Sequence, residues 1–261
     1  MSESGLSAVR ETTVGPLTLA VETATETRSV VLVRGERVLA SRSGEIREGG
    51  ASRLLADIEE VLREAGASVR EVELFAAAKG PGSFTGLRTG LATMLGLAVT
   101  LSKPLLGVPT LHAVAASAGP SERVLATIPA GRGEVFAQLL SVGEGGRVEE
   151  LGAPRHVSPA RLAEEFARLG GGLRWAGPGV RKHSEVLREA ARGAGLPVSE
   201  DSVEAGVWTL APSPEELAPT VALLARAAYG EGRPSEAHEL RAIYVRPSDA
   251  ELNEQWQARA K

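Results

Sequence analysis

The chain has 261 residues and a formal net charge of −4, and 43% of its residues are hydrophobic, 24% charged and 3% aromatic. This composition is that of an ordinary soluble globular protein, with a core built mainly from alanine, leucine and valine. The absence of cysteine excludes disulfides, thiolate metal sites and a cysteine nucleophile, and the acidic net charge offers no overall attraction for nucleic acid.

The chain has no recognisable targeting signal. No apolar run is expected to span a membrane, and the N-terminus lacks the basic-then-apolar pattern of a signal peptide. We therefore expect a cytoplasmic protein without membrane contact. Residues 1–16 are polar and lack periodicity, which predicts a flexible tail.

The residue pattern in the first half of the chain predicts the element order βββαβα. Three β-rich segments joined by short turns, 17–21, 29–34 and 37–43, predict an antiparallel meander. Apolar residues at helical spacing between positions 54 and 65 predict a helix that Gly66 ends. A strand over 74–78 and an apolar helix over 87–101 follow. These elements predict an α/β lobe in which helices lie against a mixed sheet.

The second half predicts another strand-rich lobe. Strands are expected at 105–108, 124–128 and 135–142, with a helix over 110–118. Ser158-Pro159 marks a helix start. Ser213 is predicted as an N-cap, with Glu216 completing a capping box, and the helix runs to Gly230 with a kink or restart at Pro219. The predicted divisions are the tail 1–16, a first lobe 17–106, a second lobe 107–212, a C-terminal helix 213–230 near the lobe junction, and an extension 231–261.

A glycine-rich turn follows the predicted strand 74–78 and reads KGPGSFTG over residues 79–86. Such a strand-to-helix turn can aim backbone N–H groups at an anion. Equally, its glycines can serve only to adopt φ angles that other residues avoid. The local pattern leaves both interpretations open, and Ser83 is expected to cap the following helix.

Several motifs, in order, resemble those of the TsaB (YeaZ) family of bacterial threonylcarbamoyladenosine biosynthesis subunits. They are LAVETAT at 19–25, AKGPGSFTGLR at 78–88, GVPTL at 107–111, GEVF at 133–136 and the closing IYVR at 243–246. The resemblance implies an actin-like, two-lobed fold of the ribonuclease-H type (ASKHA). It also implies a role in placing a threonylcarbamoyl group on the adenosine next to the anticodon of certain tRNAs.

The resemblance further implies that the chemistry belongs to a partner. In this family a sister subunit of the same fold, TsaD, carries the metal, and a small ATPase, TsaE, joins the pair. We therefore expect a non-catalytic scaffold subunit that reaches tRNA through the complex. No cofactor is expected to be bound firmly by this chain, and ATP is expected only at a complex interface.

The residues agree with the absence of a metal site. Where the sister subunit has two histidines at i and i+4 on one helix, this chain has Thr110 and Val114. His112 lies between them, rotated by about 200° from the first position, and cannot replace either. It is expected to be a partly exposed helix residue. The remaining histidines have no metal-ligand spacing: His156, His183 and His238.

Signals for nucleotide binding are weak. Glu22 could hold Mg²⁺ through water, although a carboxylate in such a position more often caps a turn. The other weak candidates lie in the glycine-rich turn: Gly80, Gly82, Ser83 and Thr85. Pro129 and Gly131 stand where relatives often have an aspartate and an arginine, so a further pair that could touch phosphate is lost. No peptidase motif is present.

The candidate partner surface is formed by the two predicted first-lobe helices. Small residues spaced by four, such as Gly86 and Gly90, let another backbone approach, but they equally suit packing on the chain's own sheet. The expected interface residues are Arg53, Leu54, Arg63, Gly86, Arg88, Gly90, Met94 and Ala98. Gly49-Gly50 replaces a polar pair that is common in relatives and could alter this edge. Two alternatives stay open, an actin-like small-molecule phosphotransferase and a homodimeric binding protein.

Overall fold

The computed structural model of the chain describes residues 15–45, 50–170, 172–200, 206–232 and 240–245. Most of the predicted tail 1–16 and of the extension 231–261 lies outside these ranges, as do Gly49 and His238. Gly50 is the first residue of helix α1.

The first sheet has five strands in the order β3-β2-β1-β4-β5. Strands β1, β2 and β3 form the predicted antiparallel meander, and β1, β4 and β5 run parallel. The predicted order βββαβα is confirmed. The elements are β1 (Leu17–Glu22), β2 (Thr27–Arg34), β3 (Arg37–Glu45), α1 (Gly50–Glu64), β4 (Leu74–Ala78), α2 (Phe84–Leu101) and β5 (Leu105–Val108).

The second half adds a second sheet with the strand order β11-β12-β10-β6-β7-β8, and β9 pairs with β7. The pattern did not predict β10 or α5. The elements are α3 (Thr110–Ser117), β6 (Ser121–Gly131), β7 (Glu134–Val142), β8 (Val148–Glu150), β9 (Arg155–Val157), α4 (Pro159–Arg168), β10 (Leu173–Ala176), α5 (Pro178–Gly193), β11 (Val198–Ser199), β12 (Trp208–Leu210) and α6 (Ala218–Gly230).

Helices cover both faces of the first sheet. Leu19 and Val21 of β1 point into a core shared with α1 and α2, whereas Ala20 points into a core shared with α3 and α6. Strands buried on both faces lose the alternation of apolar and polar residues, and all six residues of β1 are buried. In the second sheet, Trp175 packs against Trp208 with ring centroids 5.0 Å apart.

The predicted helix start at Ser213 is wrong. Helix α6 begins at Ala218, with Pro219 in its first turn, where a proline lacks no hydrogen bond that the helix needs. The Ala218 N–H donates to Ser29 Oγ at 3.0 Å, which ties the start of α6 to β2. The first sheet also extends beyond residue 106, since β5 includes Gly107 and Val108.

Candidate functional site

The glycine-rich turn lies between β4 and α2. Ser83 is the N-cap of α2, and its hydroxyl accepts a hydrogen bond from the Gly86 N–H at 3.2 Å. This confirms the predicted capping role of Ser83, which satisfies one of the N–H groups left unpaired at a helix start. Thr85 lies in the first turn of α2 and is exposed.

The turn that follows β1 packs directly onto the beginning of α2. The Ser83 N–H donates to the carbonyl oxygen of Ala24 at 2.7 Å. The Thr23 hydroxyl donates to the carbonyl oxygen of Gly86 at 2.8 Å. Two hydrogen bonds therefore join the turn after β1 to the beginning of α2.

Three glycines make this contact possible. A Cβ atom added to Gly82 would lie less than 3.0 Å from the backbone of Ala24. A Cβ on Gly86 would meet the carbonyl oxygen of Thr23, and one on Gly90 would meet its hydroxyl, again at less than 3.0 Å. These glycines form a groove that is filled by the chain itself, so the packing interpretation of the motif applies to them.

Glu22 closes the turn after β1. Its carboxylate accepts hydrogen bonds from the Thr25 N–H at 2.9 Å, from the Thr25 hydroxyl at 2.6 Å and from the Ala24 N–H. The side chain is completely buried. The interpretation of Glu22 as a residue that caps a turn is therefore confirmed, and the weaker magnesium interpretation does not apply, because its buried oxygens bind the turn.

Burial raises the pKa of Glu22 from its ordinary value of 4.5 to about 7, although its hydrogen bonds to Thr25 and Ala24 oppose this effect. Between these two values the folded state holds a proton that the unfolded state has lost. The free energy of unfolding therefore falls as the pH rises from 4.5 and levels off above 7, by roughly 3 kcal/mol in total.

Glu22→Gln removes this titration, so its free energy of unfolding should vary less between pH 5 and 8 than that of the wild type. Urea unfolding of both proteins across this range measures the difference. Parallel pH profiles would show that Glu22 titrates normally.

The residues at the position of the sister subunit's metal ligands are buried in the fold. The Thr110 hydroxyl accepts from the Gly80 N–H at 3.1 Å, and the Thr110 N–H donates to the Gly80 carbonyl at 2.8 Å. Val114 is also buried. As predicted, His112 points elsewhere, and its Nε2 lies 3.0 Å from a Glu150 carboxylate oxygen. Within the described ranges, no group of three or more potential ligand residues is placed to hold a metal.

A second strand–Gly-Pro-Gly–helix unit occurs in the other lobe and was missed in the sequence. Gly177 follows β10, Pro178 begins α5, and a Cβ on Gly179 would lie 2.7 Å from the Thr127 hydroxyl of β6. Strand β10 runs parallel to β6, just as β4 runs parallel to β1. The tripeptide Gly-Pro-Gly occurs at both 80–82 and 177–179, and this repeat could have indicated the second unit.

The two lobes line a cleft with an interior volume of about 20 Å³, which is room for about one water molecule. Lys182 of α5 lies 3.6 Å from Glu26 of the first lobe, so an ion pair crosses between the lobes beside this cleft. Its walls combine hydroxyl, carboxylate and guanidinium groups. The lining residues are Thr25, Glu26, Thr27, Pro178, Arg181, Ser213, Pro214, Glu215 and Leu217.

The departures at Pro129 and Gly131 lie near the end of β6 and are not among the residues that line this cleft. Pro129 pairs with Val135 of β7, and Gly131 has a φ of +79° next to the hairpin turn. A Cβ on Gly131 would meet open space, so the positive φ accounts for the glycine there.

Five of the predicted interface residues are not available to a partner. Leu54, Met94 and Ala98 are completely buried in the core between α1, α2 and the first sheet. Gly86 and Gly90 face the turn after β1, as described above. The predicted assignment is therefore corrected for all five: the apolar periodicity identified the inward face of each helix.

The three arginines of the predicted interface are exposed. Arg53 Nη2 lies 2.8 Å from Asp57 Oδ1, and the other oxygen of this buried carboxylate lies 2.6 Å from Arg28 Nε. Arg88 places its guanidinium carbon 3.8 Å from the ring centroid of Phe84. The Asp57 links fix α1 against β2, whereas the role of Arg53, Arg63 and Arg88 in an interface stays a prediction.

The outward side of α2 carries a row of exposed residues at intervals of three or four, which we call the α2 stripe: Arg88, Ala92, Gly96 and Val99. Val99 is 62% exposed, and a Cβ on Gly96 would meet open space. Three of its four residues, Ala92, Gly96 and Val99, are small or apolar, and such residues let another helix approach closely. The stripe is thus the exposed side of α2, whereas Gly86 and Gly90 are buried.

Helix α2 is also the one helix among the described residues whose length and composition would allow a membrane span. The sequence expectation that no run approaches a span did not anticipate this. One face of the helix is buried in the fold, and its residues are Gly86, Leu87, Gly90, Met94 and Ala98.

The chain is similar in sequence to known proteins. A family model described as "TsaD: tRNA N6-adenosine threonylcarbamoyltransferase" matches residues 49–185. The chain is 29% identical to the Escherichia coli K12 "tRNA threonylcarbamoyladenosine biosynthesis protein TsaB" over 231 residues, covering 87% of this chain and 94% of the relative.

Among solved structures, YeaZ from Pseudomonas aeruginosa matches with a TM-score of 0.68 and 28% identity, over 88% of this chain and 99% of that one. A ROK hexokinase from Thermus thermophilus matches with a TM-score of 0.52 and 14% identity, over 82% of this chain and 99% of that one. These similarities confirm the predicted actin-like (ASKHA) fold.

Proposed function

Because the chain belongs to the TsaB/YeaZ family, within the wider family of the matched TsaD model, we propose that it is a non-catalytic subunit in tRNA threonylcarbamoyladenosine formation. Participation in this biosynthesis follows from the family. The finer proposal is that the chain supports the metal-bearing sister subunit TsaD, which modifies the adenosine next to the anticodon, and performs no chemical step itself.

This proposal rests on the groove formed by Gly82, Gly86 and Gly90, which is filled by the chain's own turn after β1. In an actin-like phosphotransferase the phosphates need close access to the backbone of this turn. Here the glycine-rich turn and the start of α2 pack against Thr23 and Ala24, which are hydrogen-bonded to Gly86 and Ser83. Glu22, the acidic residue of the first turn, is buried and accepts hydrogen bonds from the backbone N–H groups of Ala24 and Thr25. The motif thus serves to hold α2 in place.

Holding α2 in place presents the α2 stripe to a partner. We propose that the stripe and the exposed side chains of α1, among them Arg53, Leu55 and Arg63, bind TsaD. Leu55 is 46% exposed, and apolar groups exposed in this way are typical of interfaces. TsaE joins the pair and tRNA is reached through the complex, with any ATP at a subunit junction.

The α2 stripe also favours a second candidate state, a homodimer formed when the sister subunit is absent, since the same face can pair with its own copy. A phosphotransferase acting in the cleft between the lobes is the remaining alternative. Saturable binding of Mg-ATP by the isolated chain would support it.

An omission assay tests the proposed function. TsaD, TsaE, the synthase of threonylcarbamoyl-adenylate, tRNA, threonine, bicarbonate and ATP are combined with and without this chain, and modified adenosine is measured. We expect product only when the chain is present, and none from the chain alone. Equal product without the chain would contradict the proposal.

A further inference from the structure

The segment Leu240–Val245 lies across the glycine-rich turn and touches both lobes. The Ile243 N–H donates to the Lys79 carbonyl oxygen at 2.7 Å. Leu240 packs on the core between the first sheet and α1 and α2, whereas Val245 packs on the core of the second lobe around α3 and β6. The segment therefore bridges the lobes at the point where α2 begins.

Two glycines leave room for this segment. A Cβ on Gly80 would lie 2.6 Å from the Ile243 carbonyl oxygen, and Gly80 has a φ of +102° that disfavours other residues. A Cβ on Gly107 would meet the Leu240 side chain at less than 3.0 Å. Gly80 belongs to the turn that suggested anion binding in the sequence, yet both glycines accommodate the chain's own segment.

The docked segment places Tyr244 next to the α2 stripe. The Tyr244 ring is 50% exposed, and its centroid lies 5.5 Å from that of Phe84, which is 37% exposed. The guanidinium group of Arg88, the first residue of the α2 stripe, lies over the same Phe84 ring. Tyr244 and Phe84 thus extend the stripe beyond the N-terminal end of the helix as one continuous exposed surface.

We propose that Leu240–Val245 completes the surface that binds the sister subunit, with Tyr244 as a contact residue at one end of the α2 stripe. This inference rests on the proposed function. Tyrosine and arginine are the residues most often found at interface hot spots. Because the segment is already fixed to Lys79, Gly80 and Gly107, little conformational entropy is lost when a partner binds Tyr244.

The surface favours a protein over RNA as its occupant. Aromatic rings with a nearby arginine can also stack on bases. However, the stripe continues along the uncharged residues Ala92, Gly96 and Val99, and the Arg88 guanidinium rests on the Phe84 ring. Of the arginines on the neighbouring α1, Arg53 is already paired with Asp57, which leaves Arg63 as an exposed cation beside the stripe. Small and apolar side chains over three helical turns instead match a helix of another folded protein.

The test compares the chain's two tyrosines in titrations against purified TsaD. Tyr244→Ala should weaken binding about tenfold or more, as expected for a hot-spot residue. Tyr229→Ala, which removes a 39% exposed tyrosine from α6, should leave the dissociation constant unchanged. Ile243→Pro, which removes the N–H that docks the segment, should weaken binding as Tyr244→Ala does. Thermal unfolding of each variant shows whether the fold is intact.

The outcomes separate this inference from the proposed function. If wild type binds TsaD and Tyr244→Ala binds equally well, the inference is overturned and the proposed function stands. If Tyr244→Ala keeps its affinity for TsaD but lowers tRNA binding by the complex, the surface contacts RNA and the inference is likewise overturned. If the wild type does not bind TsaD, the proposed function itself fails.

Discussion

Gly86→Ala is expected to lower the free energy of unfolding by about 3 kcal/mol, at the upper end of the cost of overpacking a core. The new methyl group would collide with the Thr23 carbonyl oxygen, a backbone atom that cannot move without breaking the turn after β1. The hydrogen bond from the Thr23 hydroxyl to the Gly86 carbonyl would be lost with it. Urea unfolding followed by circular dichroism measures the change.

Gly96→Ala is the matched control, because it makes the same substitution in the same helix where a Cβ would meet open space. Alanine is a better helix former than glycine, so this variant should be more stable than the wild type by up to about 1 kcal/mol. The free energy of unfolding should thus fall in Gly86→Ala and rise in Gly96→Ala. Equal changes would show that α2 does not pack on the turn after β1.

The first lobe could be predicted from the sequence because its signals are local. The β-forming residues of 17–21, the helical spacing after Leu54 and the cap at Ser83 each depend on a few neighbouring residues, and β4 was predicted at its observed bounds. The start of α6 was wrong because Ser213 and Glu216 mimic a capping box, whereas the helix begins at Ala218.

The candidate site depended on contacts that are distant in sequence and could not be read in the same way. Periodicity showed that Met94 and Ala98 share a helix face, but not that the chain's own sheet covers that face. Which side of α2 stays exposed became clear only when the turn at Thr23 was seen to fill the groove of Gly86 and Gly90. The docking of Ile243 on Lys79 joins residues far apart in the chain.

Ala92→Glu is expected to weaken binding to TsaD by about a hundredfold or more, equivalent to the loss of a hot spot. Ala92 lies in the middle of the α2 stripe and is exposed. A glutamate there favours the helix but holds a charge where a partner helix must approach. Ala227→Glu is the matched control, since Ala227 is an exposed alanine of the apolar helix α6. It should bind TsaD normally, and both variants should unfold within about 0.5 kcal/mol of the wild type.

The most direct test of the account measures modified adenosine in the reconstituted system while the concentration of the Ala92→Glu chain is raised. A subunit that acts only by contact loses activity only when less of the complex forms. We therefore predict little product at a low concentration of the Ala92→Glu chain, and as much product as with the wild type once all TsaD is bound. Ala227→Glu should follow the wild-type curve throughout. A deficit that persists although TsaD is fully bound would contradict the account, because the α2 stripe would then contribute to the reaction itself.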